Sequence, residues 1–295
     1  MKPLVPAAPL TAGAIVATVA ASSAIPDEER LLQGVAVLES WGLNCLRPEI
    51  VGRHWGYLAG TDQERRGDFL TPESVSLLAC ARGGWGAARL LESELPWRPG
   101  WLLGFSDVTA LLWSRLAAGY DGGIHGPLLT TLADEPGWSQ ERLRQLLFGE
   151  PASDLNGVGL GGGQATGPLV VANLTVATHL LGSDHMPDLR GALLIFEDVG
   201  EAPYRIDRML TQWRLCGALN GLAGIGFGHF QDCFDDDRPQ DWCFSLDDVL
   251  KERTGDLGIP RVLNLPLGHR PGNAALPMGR LARLDGDKGR LSLIA

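Results

Sequence analysis

The chain contains no run of about 18 apolar residues, the length a membrane-spanning helix requires, so no membrane span is expected. Basic residues are in deficit. The 295 residues carry 25 Lys and Arg against 35 Asp and Glu, a formal net charge of −10. That balance argues against a nucleic-acid binder, which needs a basic face to neutralise phosphates. It also argues against docking on an anionic membrane. Cysteine is sparse. Cys45, Cys80, Cys216, Cys233 and Cys243 are scattered, odd in number and form no CxxC pair. A disulfide framework or structural zinc site is not expected, and a reducing, cytoplasmic compartment fits.

Two glycine motifs are incomplete. GVGLGG, with Gly157, Gly159 and Gly162, matches GxGxxG by letter but follows no clear strand and opens no helix. It reads as a linker, not a dinucleotide loop. GFSD, ending at Asp107, lacks the second Gly of GxSxG, because Val108 stands there.

What remains is an ordinary core-forming composition, 45% hydrophobic and 20% charged. At roughly 100–200 residues per domain the length suggests one large or two modest domains. The opening segment has one Lys, an apolar stretch and small residues, as a secretory signal does. Its AIVATVA run, preceded by Pro3 and Pro6, reads better as a first buried strand. DEERLLQGVAVLESWG reads as an amphipathic helix with an acidic first turn and Gly42 after its end. SVSLLAC reads as a helix broken at Gly83-Gly84, WLLGFS as a strand entering a turn, and DVTALLWSRLAA as a helix. This alternation implies βαβ units and a Rossmann-like parallel sheet over residues 1–140. A Gly-, Asn- and Ser-rich linker is expected at 141–167. A second α/β domain with more strands is expected at 168–295.

Ser106 lies between a buried strand and a helix. A strained turn there would expose its hydroxyl and present the backbone N–H of Asp107 to a carbonyl oxygen. A Ser at a helix start is more often a cap. A nucleophilic Ser needs a base, and His269 in NLPLGHRPGN and His125 in IHGP both sit at strand ends. His179 falls in a helical pattern. His229, Cys233 and Asp235–Asp237 match no standard metal spacing, so that stretch reads as a solvated acidic loop and no metal is expected. ALLIFED ends a buried strand in Glu197 and Asp198, where a carboxylate could accept from an imidazole. Glu201, Arg205, Asp207 and Arg208 follow as an ion-pair network or a dimer contact. RGGWGAARLL leads into a helix, so its N–H groups could hold an anion or an oxyanion, although on its own the stretch reads better as a tight turn.

Together these pieces resemble the LD-carboxypeptidases, a serine peptidase family that also holds the microcin-immunity peptidases. The resemblance rests on YLAGTDQERRGDF, ARGGWGAARLL, GFSDVTALL, HGP, ANLTVATHLLGS, LLIFEDVGEAPYRIDRML and LPLGHRPGNAALPMG, in that order. It implies two α/β domains with the active site between them, and a Ser-Glu-His catalytic set. Carried over, Ser106 is the nucleophile, Glu197 the orienting carboxylate, with Glu201 as fallback, and His269 the base. The N–H groups of Asp107 and Gly84 form the oxyanion hole. Arg82 is a candidate for the substrate carboxylate, and Trp85 for an aromatic contact. No cofactor is needed, the partner is a small peptide, and the family tends to form homodimers. The implied substrate is a murein tetrapeptide that loses its terminal D-alanine in peptidoglycan recycling. Alternatives are a microcin-immunity-like peptidase acting on a peptidyl-nucleotide amide, or a non-catalytic peptide-binding protein. The chain departs from the family in AASS (Ala20–Ser23) for the usual Ala-Pro-Ser-Ser, in Trp85 for Tyr, and in its long acidic loop.

Overall fold

The structure is a computed structural model and describes residues 4–46, 49–235 and 242–294. In chain order the first half gives β1 (Ile15–Val19), α1 (Glu28–Ser40), β2 (Asn44–Cys45), α2 (Asp62–Gly67), β3 (Val75–Cys80), β4 (Trp101–Gly104), α3 (Thr109–Ala117), β5 (Gly123–His125), α4 (Leu129–Leu132) and α5 (Gly137–Phe148). The second half gives β6 (Leu155–Asn156), β7 (Val158–Gly159), β8 (Gln164–Asn173), α6 (Leu174–His179), β9 (Leu193–Val199), α7 (Pro203–Leu215), β10 (Gly224–Gln231), α8 (Leu246–Thr254), β11 (Arg261–Leu263), β12 (Leu276–Pro277), β13 (Leu281–Asp285) and β14 (Arg290–Leu293).

The fold is mixed α/β, with a parallel sheet and a second, more β-rich sheet. The first sheet runs β12-β5-β4-β3-β1-β2, and all its pairings are parallel except that of β12 with β5. The second runs β6-β14-β13-β8-β9-β10-β11-β7. Its centre, β8 to β11, is parallel, and antiparallel strands flank it.

AIVATVA does form the first strand. Its neighbour SVSLLAC, expected as a helix, is β3. The reason is burial on both faces: a central parallel strand is apolar along its length, so a short run carries no period that separates it from a helix. DEERLLQGVAVLESWG forms α1, with the Asp27 side chain accepting from Arg30 N and Leu31, Val35 and Leu38 facing the core. The stretch expected as a linker, 141–167, holds most of α5, then β6, β7 and the start of β8. GVGLGG lies along the edge strand β7. A Cβ on Gly157 would come within 2.2 Å of the Leu263 carbonyl oxygen, so these glycines permit backbone contact.

The two sheets share one apolar core. Trp113, on α3 below the first sheet, donates its indole N–H to the Val171 carbonyl on β8 at 2.9 Å. Its ring meets Trp213 of α7 edge-on, and Trp213 meets Phe196 of β9 in the same way. β12 returns the chain from the second sheet to the edge of the first. Trp113→Ala is therefore expected to cost about 3–5 kcal/mol, read from urea unfolding. Trp113→Phe should cost less, since it keeps most of the packing and loses the hydrogen bond.

Candidate active site

Ser106 comes one residue after β4, past Phe105, and opens a single turn of 3-10 helix, Ser106–Val108, that runs into α3. Its φ is +62°, the left-handed region that side chains rarely adopt. Holding a residue there costs about 1–3 kcal/mol, which the surroundings must offset. The turn aims the hydroxyl at His269, with Oγ 3.0 Å from Nε2. The other ring nitrogen, Nδ1, lies 2.8 Å from Glu197 Oε2. Ser106 belongs to the first sheet, Glu197 to β9 of the second, and His269 to the segment that crosses between them. Glu201, the fallback, instead pairs with Arg205 at 3.5 Å on the surface.

Gly268 makes the approach of His269 possible. Its φ is +127°, and a Cβ there would lie 2.9 Å from the His229 carbonyl oxygen and 3.4 Å from Glu197 Oε2. Glu197 is fully buried. Burial alone would raise its carboxyl, but His269, with His125 behind it, holds it down at about 2. Burial would lower His269 in turn, yet the Glu197 carboxylate raises it above its ordinary value. The arrangement can accept the proton of Ser106 on Nε2 and stabilise the imidazolium that results.

Family models match both halves of the chain. The LD-carboxypeptidase N-terminal domain matches residues 16–126, and the LD-carboxypeptidase C-terminal domain matches residues 166–284. The chain belongs to the LD-carboxypeptidase family. It is 47% identical over 294 residues to a Synechocystis sp. protein named as a candidate carboxypeptidase, covering 97% of this chain and 96% of that one. It is 34% identical over 270 residues to the murein tetrapeptide carboxypeptidase of Pseudomonas aeruginosa, covering 81% and 84%. The muramoyltetrapeptide carboxypeptidase structure from Oxalobacter formigenes superposes with a TM-score of 0.83 at 27% identity, covering 95% and 97%.

Several residues around Ser106 and His269 act through features the sequence did not disclose. Gly83, not Gly84, touches the serine. A Cβ on Gly83 would stand 3.1 Å from Ser106 Cβ and 3.2 Å from its Oγ. Gly84, with φ +107°, packs against Ser23, whose Oγ accepts from Trp85 N at 3.0 Å. Ser23 N donates to the Gly83 carbonyl at 3.3 Å, so the AASS turn and the RGGWG loop are tied together. Arg65, fully buried, donates to the carbonyls of Ala21 and Gly86 and so holds both loops at once. The motif YLAGTDQERRGDF thus forms α2, capped by Thr61 and Glu64, and delivers Arg65.

Asp107 contributes more than an N–H. Its buried carboxylate accepts from Ala87 N at 2.8 Å and anchors the far end of the RGGWG loop. Burial pushes this carboxyl above its ordinary range, against hydrogen bonds from that loop. Arg82 donates to the Ala24 carbonyl at 2.8 Å, and Trp85 is exposed. His125 is fully buried, with Nε2 3.8 Å from Glu197 Oε1 and its ring edge-on to Phe105, so it backs the carboxylate and does not reach Ser106. Asp198 faces away from the site. It accepts from Asn173 Nδ2 and from Thr175 N and Oγ1, which fixes the start of α6 on β9. Burial, then the adjacent Glu197 charge, raises its carboxyl to about 6.

Arg205 reaches Glu201, Arg253 of α8 reaches Asp207, and Arg208 stacks on Tyr204, so the four residues expected as an ion-pair network contain one pair, Glu201 with Arg205, and otherwise make separate contacts. His179 is exposed at the end of α6. In the acidic loop, Asp236 and Asp237 lie outside the described residues.

A pH profile tests the electrostatics. If Ser106 is the nucleophile and His269 its base, Ser106 reacts only when His269 is neutral. The raised His269 therefore predicts fluorophosphonate labelling that climbs with pH about a midpoint above the ordinary imidazole value of about 6.5. Glu197→Gln removes the charge that raises His269, so it should lower that midpoint and slow labelling by up to roughly 10⁴-fold.

Proposed function

We propose that the chain is a serine-type LD-carboxypeptidase that releases the terminal D-alanine of murein tetrapeptides. The observation that carries this reading is the unbroken line Ser106–His269–Glu197, with links of 3.0 and 2.8 Å, inside an LD-carboxypeptidase chain. Identity of 34% to a murein tetrapeptide carboxypeptidase supports the substrate class.

His269 takes the proton of Ser106 as Oγ attacks the carbonyl between the L-centre of the diamino acid and D-alanine. Glu197 fixes the imidazole tautomer and balances its positive charge. The backbone N–H groups of Asp107 and Gly84 receive the developing oxyanion, each worth about 2.7–4 kcal/mol where such donors have been removed. The close approach of Gly83 to Ser106, where a Cβ would lie 3.2 Å from Oγ, supports a place for this loop at the reacting carbonyl. His269 then protonates the leaving amine, D-alanine departs, and water activated by His269 opens the acyl-enzyme. Arg82 and the exposed Trp85 ring border the same loop and are the side chains we assign to substrate contact. The reading includes a cytoplasmic homodimer acting in peptidoglycan recycling, and the scattered free thiols are consistent with the compartment.

Purified protein incubated with murein tetrapeptide should yield free D-alanine and tripeptide in equal amounts. Ser106→Ala should cut release by roughly 10⁴-fold or more. No release by the wild type, or equal release by the variant, defeats the reading. An aminoacyl sulfamoyl nucleoside offered in parallel should turn over more slowly. Faster turnover would move the assignment to the microcin-immunity type of substrate.

A further inference from the structure

His269 sits in a loop, residues 266–274, that leaves the second sheet after β11 and delivers the chain to β12 in the first. Its neck is closed by a hydrogen bond from Ala274 N to the Pro266 carbonyl at 2.9 Å. Within it, Gly268 N donates to Asn273 Oδ1 at 3.1 Å, so the residue before His269 is braced by the far side of the loop. That far side is gripped from the first half of the chain. Glu135 Oε2 accepts from both Gly272 N, at 2.7 Å, and Asn273 N, at 3.0 Å. Ser139 Oγ donates to the Asn273 carbonyl at 3.0 Å, and Arg142 Nε to the Ala275 carbonyl at 2.8 Å.

We propose that Glu135 is a positioning residue for His269: its carboxylate clamps the 272–273 backbone and, through Asn273 and Gly268, holds the imidazole between Ser106 and Glu197. Glu135 is buried, and its main chain is itself fixed, because Gln140 Nε2 donates to the carbonyls of Leu132 and Glu135. The indole of Trp138 closes over Gly272, where a Cβ would lie 2.9 Å from Cζ2. Without the carboxylate, two backbone N–H groups lose their acceptor, and the loop is free to settle where water or another group can satisfy them. A shift of about 1 Å at His269 is enough to cost roughly 100-fold in rate. The clamp comes from one half of the chain and the base from the other. Glu135 therefore sets how the halves meet at the reacting atoms, while touching none of them.

This inference rests on the reading of His269 as the base, and its test separates the two. Glu135→Ala should lower kcat for D-alanine release roughly 10–100-fold, with KM within about twofold, because substrate contacts are untouched. The His269 titration midpoint, followed by NMR without substrate, should fall toward the free imidazole value as the ring leaves Glu197. Glu135→Gln keeps an acceptor oxygen and should restore both kcat and the midpoint. Asn273→Ala, which removes only the brace to Gly268, should reproduce the Glu135→Ala signature, and it serves as the deciding variant if Glu135→Ala does not fold. A folded Glu135→Ala or Asn273→Ala protein with wild-type kcat and an unmoved midpoint overturns the proposal. The midpoint is read on the protein alone. If the wild type releases no D-alanine, only the substrate reading falls, and the midpoint still judges Glu135.

Discussion

A carboxylate with no access to water sits at the centre of this molecule. Glu197 lies on a central strand of the second sheet, and an unpaired charge there would cost several kcal/mol. It stays ionised because an imidazole covers one oxygen at 2.8 Å and a second imidazole stands 3.8 Å from the other. Those imidazoles come from different places, His125 from β5 of the first sheet and His269 from the crossover loop. The surroundings of one buried charge therefore draw on both sheets and the connection between them, with the hydrogen bond supplied by His269 and only a longer approach by His125. The same arrangement keeps the imidazole of His269 at the serine, since the nitrogen that faces Ser106 is opposite the one bonded to Glu197.

Once the imidazole is fixed, the serine must reach it, and that accounts for the strain at Ser106. A left-handed turn is held only if its neighbours leave no cheaper arrangement. Here the α3 side is locked by Thr109, whose Oγ1 accepts from Asn173 N at 2.9 Å. The opposite side is closed by the RGGWG loop, with Gly83 against the serine and Ala87 bonded to Asp107. Arg65 completes this enclosure at the cost of burying a guanidinium, a charge met by Asp62 at 2.5 Å and by main-chain carbonyls. Much of the polar interior thus serves two loops and one dihedral angle.

How much of this could be read from the sequence follows from where each signal resides. Ser106, Glu197 and His269 each end or follow an apolar run, and strand ends are where side chains emerge from a sheet. His125 does so too, and it was the resemblance to the LD-carboxypeptidases that singled out the three. Glu197 could be separated from Glu201 because only the first closes such a run. SVSLLAC misled because a strand buried on both faces has lost the alternation that marks exposed ones. The linker expected at 141–167 misled for another reason. Its glycines permit close contact with the backbone at Leu263, and close contact is as glycine-rich as flexibility. The clamps made by Asp107, Arg65 and Glu135 were hidden, because each joins residues at least 20 positions apart through main-chain atoms that carry no side-chain signature.

The missing second glycine of GxSxG has a physical explanation in the same turn. In a strand–serine–helix elbow the helix must approach the strand closely, and something small must stand at the contact. Here the small residue is on the strand side alone. A Cβ on Gly104 would fall 2.7 Å from Val108 Cγ1, so the valine occupies the space the first glycine leaves. Val108 is fully buried and caps the first turn of α3 from within. The sharp turn therefore needs one glycine and one tightly packed branched residue, not two glycines. A search for the full pattern passes over this serine, although its φ is +62° and its Oγ lies 3.0 Å from the imidazole of His269.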